Sequence, residues 1–240
     1  MTGMYEADLA FIHADAFGDV ANAAITSLIP PLKAAGAQRV IDVGCGAGVS
    51  TKALVEAGFD TLAIEPSIAL LDVARKGAPA ARFLQASAYD VTLPPCDAIL
   101  AIGEVLTYHD PTEDAGDRLQ RFFAGAAAAL PQGGQLVFDL IETGAPPLNA
   151  RTWKSGVEWA VLSASTEDVE GKRLTREIET FRDLGAGSYR RTRELHHVRL
   201  FERAAVLAWL AQAGFKVETA IAYGALELPQ RRVAFYATRL

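Results

Sequence analysis

The chain predicts a doubly wound α/β domain carrying a small antiparallel β insertion. Three observations predict it. Short β-branched runs alternate with helix-forming stretches from Arg39 to Ile141; a glycine-rich bend follows the first of those runs; and period-2 patterning replaces the alternation between Thr143 and Leu200 before strand and helix return. With 240 residues, 50% hydrophobic and 22% charged, the chain has the composition of one globular domain with an insertion, not that of a disordered or disulfide-scaffold protein.

The first 37 residues read as a helical cap. Tyr5, Leu9, Ile12 and Phe17 leave an apolar stripe broken at Gly18, and a second stretch from Val20 to Leu32 is expected to stop near Pro30-Pro31. Val40 to Val43 is a strand ending at Gly44, with a helix expected over Val49 to Ala57. Phe59 to Glu65 is the next strand, and the stretch Ile68 to Lys76 is opened by Ser67 and closed by Gly77. Arg82 to Leu84 and Ala98 to Ile102 are strands, Asp114 to Leu130 a helix, and Gln135 to Ile141 a strand after the turn Pro131 to Gly134. Residues 38–142 thus form the first part of the core, and 201–240 complete it with a helix over Glu202 to Ala213 and strands over Phe215 to Ala222 and Val233 to Thr238. The short connection holding Gly224 and Pro229 suits an antiparallel pair. Residues 143–200 are expected to form a β-rich lid of three strands, roughly 156–169, 173–183 and 188–200, turning at Glu170-Gly171 and Gly185-Ala186-Gly187.

Bulk properties narrow the partners. The formal net charge of −6 disfavours nucleic acid. No apolar run approaches the roughly 20 residues a membrane-crossing helix needs. The first eight residues lack a basic leader region. Two cysteines, Cys45 and Cys96, with no CxxC pair, suit a reduced cytoplasmic protein, and no metal site is expected.

The strongest local signal is Asp42-Val43-Gly44-Cys45-Gly46-Ala47-Gly48, where a strand meets a helix. Alternate glycines let backbone approach a ligand closely. Glu65 ends the next strand, so in a doubly wound sheet it lies beside that bend and can accept hydrogen bonds from both hydroxyls of a ribose. The dinucleotide fingerprint needs Gly or Ala where Val49 stands, and Gly48-Val49-Ser50 lacks the lysine of a phosphate-binding loop. Asp42 would repel a pyrophosphate and suits an ammonium or sulfonium. The loop favours a cationic nucleoside.

On these residues the chain resembles the class I S-adenosylmethionine-dependent methyltransferases. Val40 to Gly48 is similar to their first motif, and Leu62 to Ser67 to their second, which implies Glu65 as the ribose acid with Pro66 and Ser67 beside it. Gln85 to Asp90 stands where the family often has Gly-Asp-Ala, implying Ser87, Ala88 and Tyr89 at the adenine, with Ser87 in place of a frequent aspartate. Cys96 to Leu106 resembles the fourth-strand motif, implying Ile102, Gly103 and Glu104 near the cofactor, and Leu130 to Leu136 the turn before the fifth strand. The resemblance further implies a Rossmann-like seven-stranded sheet with an antiparallel last strand, S-adenosyl-L-methionine as cofactor bound by Asp42, Gly44, Cys45, Gly46 and Gly48, and an N-terminal helix that brings Tyr5 and His13 over it.

Methyl transfer from a sulfonium needs alignment and exclusion of water, and a base only for a protonated nucleophile. Glu104, Tyr108 and His109 follow the fourth strand and are the candidate catalytic residues. The family's Asn/Asp-Pro-Pro-Tyr/Phe motif is replaced by Gly103-Glu104-Val105-Leu106, which disfavours base amines and glutamine side chains; the expected acceptor is a small molecule. Arg190, Arg191, Arg193, His196, His197 and Arg199 form a basic stretch that either meets a substrate anion or pairs with Glu177, Glu179 and Glu194 on neighbouring strands; Trp153 and Trp159 either line an apolar pocket or, the favoured reading, pack in the core. The expected assembly is a monomer or homodimer. A nicotinamide-dependent oxidoreductase and a non-catalytic cofactor-binding module remain open as alternatives.

Overall fold

Runs that are apolar on both faces become interior strands here, and runs that alternate become the strands of a one-sided sheet. The computed structural model describes residues 4–108 and 114–240. In chain order the elements are α1 (Ala7–Ala16), α2 (Asp19–Ala34), β1 (Arg39–Val43), α3 (Val49–Glu56), β2 (Asp60–Ile64), α4 (Ile68–Gly77), β3 (Arg82–Leu84), β4 (Ala98–Ala101), a tight helical turn at Val105–Thr107, α5 (Ala115–Ala129), β5 (Gln135–Ile141), β6 (Ala150–Ser155), β7 (Trp159–Asp168), β8 (Arg173–Gly185), β9 (Ser188–Arg199), α6 (Arg203–Gln212), β10 (Phe215–Ala220), β11 (Ala222–Tyr223), β12 (Leu226–Glu227) and β13 (Arg232–Arg239).

The main sheet has seven strands in the order β10-β13-β5-β4-β1-β2-β3, with β13 antiparallel to both of its neighbours. β4 and most of β1 and β5 are buried, because helices cover both faces. Phe123, Phe138, Phe235 and Leu210 fill one layer against α5 and α6; Leu28, Leu32, Leu54 and Leu100 fill the other against α2 and α3. Local chemistry sets the helix starts. Ser67 Oγ accepts the Leu70 N–H at 3.2 Å to open α4, and the Asp114 carboxylate accepts the N–H groups of Gly116 and Asp117 to open α5.

Two expectations in the helical and lid regions need correction. α2 does not stop at Pro30-Pro31 but runs through both to Ala34. The prolines lie in its last turn, the Ala35 N–H still reaches the Pro31 carbonyl at 2.9 Å, and burial of Leu28 and Leu32 outweighs the missing donors. The insertion has four strands, not three: β6, which precedes the expected set, pairs antiparallel with β7 in the order β6-β7-β8-β9. β6 is exposed along its whole length, so no apolar alternation announced it. A two-residue pair, β11 with β12, also interrupts the connection to the last strand.

The inserted sheet is fastened to the core through α1. Leu9 and Ile12 pack against Trp159, Val161 and Ile178, and the Trp159 Nε1–H donates to Asp15 at 2.8 Å. A second seam, Ile141 with Leu174, Val198 and Leu200, closes the root of the insertion. Trp153, expected in the core, is instead exposed.

Gly48 bears the tightest backbone approach around the glycine bend. Its φ is +87°, and a Cβ there would lie 2.8 Å from the Ala74 Cβ and 2.9 Å from its Cα, so α3 and α4 touch only because the side chain is missing. Gly48→Ala combines a left-handed backbone, about 1–2 kcal/mol, with overpacking against main chain, about 1–3 kcal/mol. A loss of roughly 2–5 kcal/mol in urea unfolding is expected.

Candidate functional site

A cavity of about 1040 Å³ opens at the carboxyl ends of the main-sheet strands, with the inserted sheet as its far wall. That is the upper end of the roughly 300–1,000 Å³ typical of ligand pockets, enough for two small molecules side by side. Asp42, Gly44, Cys45, Gly46, Glu65, Pro66, Ser67, Ser87, Ala88, Tyr89, Ile102, Gly103, Glu104, Tyr108, Tyr5 and His13 all line it. Gly48 does not line it: that glycine packs on Ala74 instead. His109 lies outside the described residues. Tyr5 is not on a helix as expected but on the segment before α1, with φ 54°, its carbonyl accepting the Ser67 hydroxyl at 2.7 Å.

At one end of the cavity the glycine bend and the second strand hold each other. The Glu65 carboxylate accepts the Gly46 N–H at 3.1 Å and the Ser67 N–H at 3.0 Å. Burial pushes its pKa up, and those two N–H groups oppose the shift. Tyr89, whose hydroxyl donates to the Leu106 carbonyl, stiffens the loop of Ser87 and Ala88. The cavity-lining residues between 42 and 89 include two carboxylates and no Lys or Arg.

Asp42 is buried, with its carboxylate accepting the Thr51 hydroxyl at 2.6 Å. Burial pushes its pKa up to about 7, with the Glu65 charge adding to that and the Thr51 hydrogen bond working against it. Since the folded state holds the proton more tightly than the unfolded chain, stability is expected to fall as pH rises from the ordinary carboxylate range toward 7. Asp42→Asn keeps an oxygen for Thr51 and removes the charge. The expected result is a flatter stability profile between pH 5 and pH 8 in urea unfolding, the difference accruing at up to roughly 1.4 kcal/mol per pH unit.

The other end of the cavity is polar and crosses from core to insertion. Glu104, at φ 57°, makes a two-pronged ion pair with Arg176 of β8, both contacts 2.9 Å. Burial pushes the Glu104 carboxyl up, but the Arg176 guanidinium outweighs it and holds the pKa below the ordinary range. Tyr108 and Tyr5 meet hydroxyl to hydroxyl at 3.2 Å, and burial raises both phenols. Beneath Glu104, Asp139 of β5 accepts the N–H groups of Gly103 and Glu104 at 2.9 and 2.7 Å, the Tyr223 hydroxyl at 3.1 Å and Arg232 Nε at 2.6 Å. It fixes the strained backbone of the loop.

Several of these residues escaped the sequence. Asp139 had a signal, an acid inside the apolar run Leu136 to Ile141, whereas Arg176 and Arg232 had none, since each sits among other charged residues. The basic stretch of β9 divides by face. Arg191 and Arg193 pair with Glu179 and Glu177 on the exposed side, while Glu194 and His196 turn inward and are buried. Arg190 reaches Asp8, and Arg199 donates to the Gly171 carbonyl.

Among the described residues, His13 Nδ1, His196 Nδ1 and Arg232 Nη2 are the buried side-chain nitrogens without a hydrogen-bond partner, and all three residues line this cavity. Burial pushes the His13 pKa down to about 4, so its imidazole is neutral at physiological pH. Unsatisfied buried polar atoms that converge on one cavity mark a place for a polar ligand.

Fold and cavity together define a Rossmann-like α/β domain with its site at the carboxyl edge of the sheet. Residues 40–134 match a family model described as a methyltransferase domain. Uncharacterized methyltransferases of Mycobacterium tuberculosis and Mycobacterium bovis are 34% identical over 115 residues, 47% of this chain, which spans 42% of the length of those relatives. Solved structures extend the likeness over the whole chain. A sugar N-methyltransferase, KedS8 of a Streptoalloteichus species, is 24% identical with a TM-score of 0.77, covering 100% of this chain and 96% of its own. DesVI of Streptomyces venezuelae is 23% identical with a TM-score of 0.78, covering 98% and 100%. An S-adenosylmethionine-dependent methyltransferase from Clostridium acetobutylicum is 18% identical with a TM-score of 0.78, covering 96% and 97%. The sequence likeness to a methyltransferase domain covers residues 40–134, and the fold of the whole chain is the one seen in the Clostridium acetobutylicum S-adenosylmethionine-dependent methyltransferase.

Proposed function

We propose that the protein transfers a methyl group from S-adenosyl-L-methionine to a small molecule held between the loop after β4 and the inserted sheet. The observation that carries this reading is one continuous cavity with two chemically distinct ends. One end is a glycine bend facing a pre-oriented carboxylate, with Asp42 beside it and no Lys or Arg among the lining residues from 42 to 89; the other holds the polar groups of Glu104, Tyr5, Tyr108, Arg176, His196 and Arg232. The residues fit the donor. Glu65 has lone pairs left for ribose hydroxyls, Ser87 to Tyr89 line the same cavity on the segment where the resemblance puts the adenine, and the neutral His13 with the Asp42 carboxylate suits a cationic methionine end. When bound, the donor supplies an activated methyl on a sulfonium, a neutral thioether being the leaving group.

What the chain itself contributes is alignment and shielding. The Glu194 carboxylate accepts the N–H groups of Tyr5 and Glu6 at 2.7 and 3.0 Å, which ties the segment before α1 across the cavity and limits water access. The ion pair of Glu104 with Arg176 joins the loop after β4 to the insertion, so the acceptor is held by core and lid at once.

The two carboxylates among the lining residues from 42 to 89, with no Lys or Arg in that stretch, argue against a pyrophosphate ligand, and so against the nicotinamide alternative. Titration calorimetry with S-adenosylmethionine, S-adenosylhomocysteine and NAD tests this directly. Binding of the first two and not the third is expected, and the reverse order would sink the reading. The acceptor is sought by label transfer from methyl-tritiated donor. Amino sugars belong among the compounds tried, since KedS8, similar over its whole length, is a sugar N-methyltransferase.

A further inference from the structure

We propose that His196 is the general base that takes a proton from the methyl acceptor, with Glu194 as its positioning residue; this rests on the methyl-transfer reading above. β9 places Glu194 and His196 two residues apart, so both face inward from the same side of the strand. Their side chains meet there, His196 Nε2 lying 2.8 Å from Glu194 Oε2. A carboxylate can only accept, so Nε2 carries the hydrogen and Nδ1 is left with a bare lone pair. That Nδ1 is buried and has no partner, and His196 forms part of the cavity wall. A side chain placed only for packing would leave no unsatisfied nitrogen at a ligand cavity.

The surroundings agree with a base that must gain and lose charge. Arg176, opposite His196 in the strand register, is neutralised by Glu104, so its cation does not oppose an imidazolium alone. The Tyr5 and Tyr108 rings lie with centroids 5.0 and 5.9 Å from the imidazole, and burial keeps both phenols neutral. Glu194 is anchored by two backbone N–H groups besides the imidazole, so its position is set before any acceptor arrives. The charged and titratable groups around His196 are therefore Glu194 on its own strand, Arg176 on β8, Tyr5 before α1, and Glu104 with Tyr108 after β4.

The inferred substrate class is an acceptor whose nucleophilic atom bears a proton, a hydroxyl or an ammonium. That proton moves to His196 Nδ1, and the resulting imidazolium is stabilised by Glu194. The electron pair left on the acceptor atom forms the bond to the methyl carbon while the carbon–sulfur pair returns to sulfur.

The test compares wild type with His196→Gln and Glu194→Gln. Nitrogen-15 spectra of histidine-labelled protein saturated with S-adenosylhomocysteine are expected to show His196 protonated at Nε2 and bare at Nδ1, with that preference lost in Glu194→Gln. Label transfer to glucosamine, 2-phenylethylamine and catechol is then followed against pH. The expected result is a fall of about 10²–10⁴-fold in kcat for His196→Gln, loss of the acidic limb of its pH profile, and donor affinity within twofold of wild type. A fall of intermediate size is expected for Glu194→Gln, with the limb displaced. The proposal is overturned by a proton on Nδ1, by His196→Gln turnover within threefold of wild type with an unchanged limb, or by donor binding without transfer to any of the three acceptors. Failure of the wild type to bind donor at all would instead overturn the methyl-transfer reading.

Discussion

Glu65→Ala is expected to weaken binding of S-adenosylhomocysteine by about 10²–10⁴-fold, measured by titration calorimetry. Two hydrogen bonds from ribose hydroxyls to a charged acceptor contribute about 1.5–3 kcal/mol each, and alanine offers neither. The same substitution strips the Gly46 and Ser67 N–H groups of their acceptor at 3.1 and 3.0 Å. Each donor left unsatisfied costs about 1–3 kcal/mol, so the melting temperature should drop as well. Glu65→Gln separates the two effects. Its amide oxygen still serves one N–H while its NH₂ faces the other, so affinity should lie between wild type and alanine. An affinity for S-adenosylhomocysteine unchanged in Glu65→Ala would remove the carboxylate from the site.

Arg176→Met should destabilise the fold by about 2–4 kcal/mol in urea unfolding at pH 7.5, because it leaves the Glu104 carboxylate unpaired in a site that burial has largely cut off from water. The lower part of the range for breaking a buried pair is expected, since the two side chains keep exposures of 20% and 14%. Adding Glu104→Gln to Arg176→Met should restore much of the loss, and the double-mutant cycle reads the coupling between core and insertion. The pH dependence has a definite sign. Arg176 depresses the folded-state pKa of Glu104, so in wild type this contribution is present above the ordinary carboxylate range and disappears as pH falls through the depressed value. In Arg176→Met the Coulombic attraction is gone, burial dominates, and lowering the pH should stabilise the variant relative to wild type. The inserted sheet should also become more open to proteolysis, as this pair is one of its ties to the loop after β4.

The core strands and the glycine-bend end of the cavity were legible because their signals are local. A β-branched run ending in Gly44, a bend of alternate glycines and an acid ending the next strand lie close together in the chain, and parallel pairing of β1 with β2 brings their ends together by rule. α2 was misjudged at its end because a helix boundary there depends on whether burial of Leu32 outweighs two missing donors, a tertiary quantity. β6 was missed because an exposed strand held by edge pairing to β7 carries no period-2 apolar pattern. For Trp153 the core was favoured over a pocket wall, yet it stands on that exposed strand and lines the cavity.

The polar end of the cavity is different in kind. Glu104, Arg176, Glu194, His196 and Arg232 come from four separate strands or loops, and only Glu194 and His196 are related by spacing. β9 shows the difficulty within a few residues: Arg191, Arg193, Glu194 and His196 look alike as a charged run, and only the pleat decides that the first two pair on the outer face while the last two turn inward, His196 at the cavity wall.

By itself, then, the sequence determined the doubly wound sheet, the antiparallel last strand and the bend that faces the Glu65 carboxylate, since each follows from the order and period of nearby residues. Only the tertiary structure decided which buried charges neutralise one another and which nitrogens are left without partners at the cavity. The reason is that an ion pair or an unsatisfied donor is a property of distances between remote segments, and those distances exist only once the insertion has folded back over the sheet.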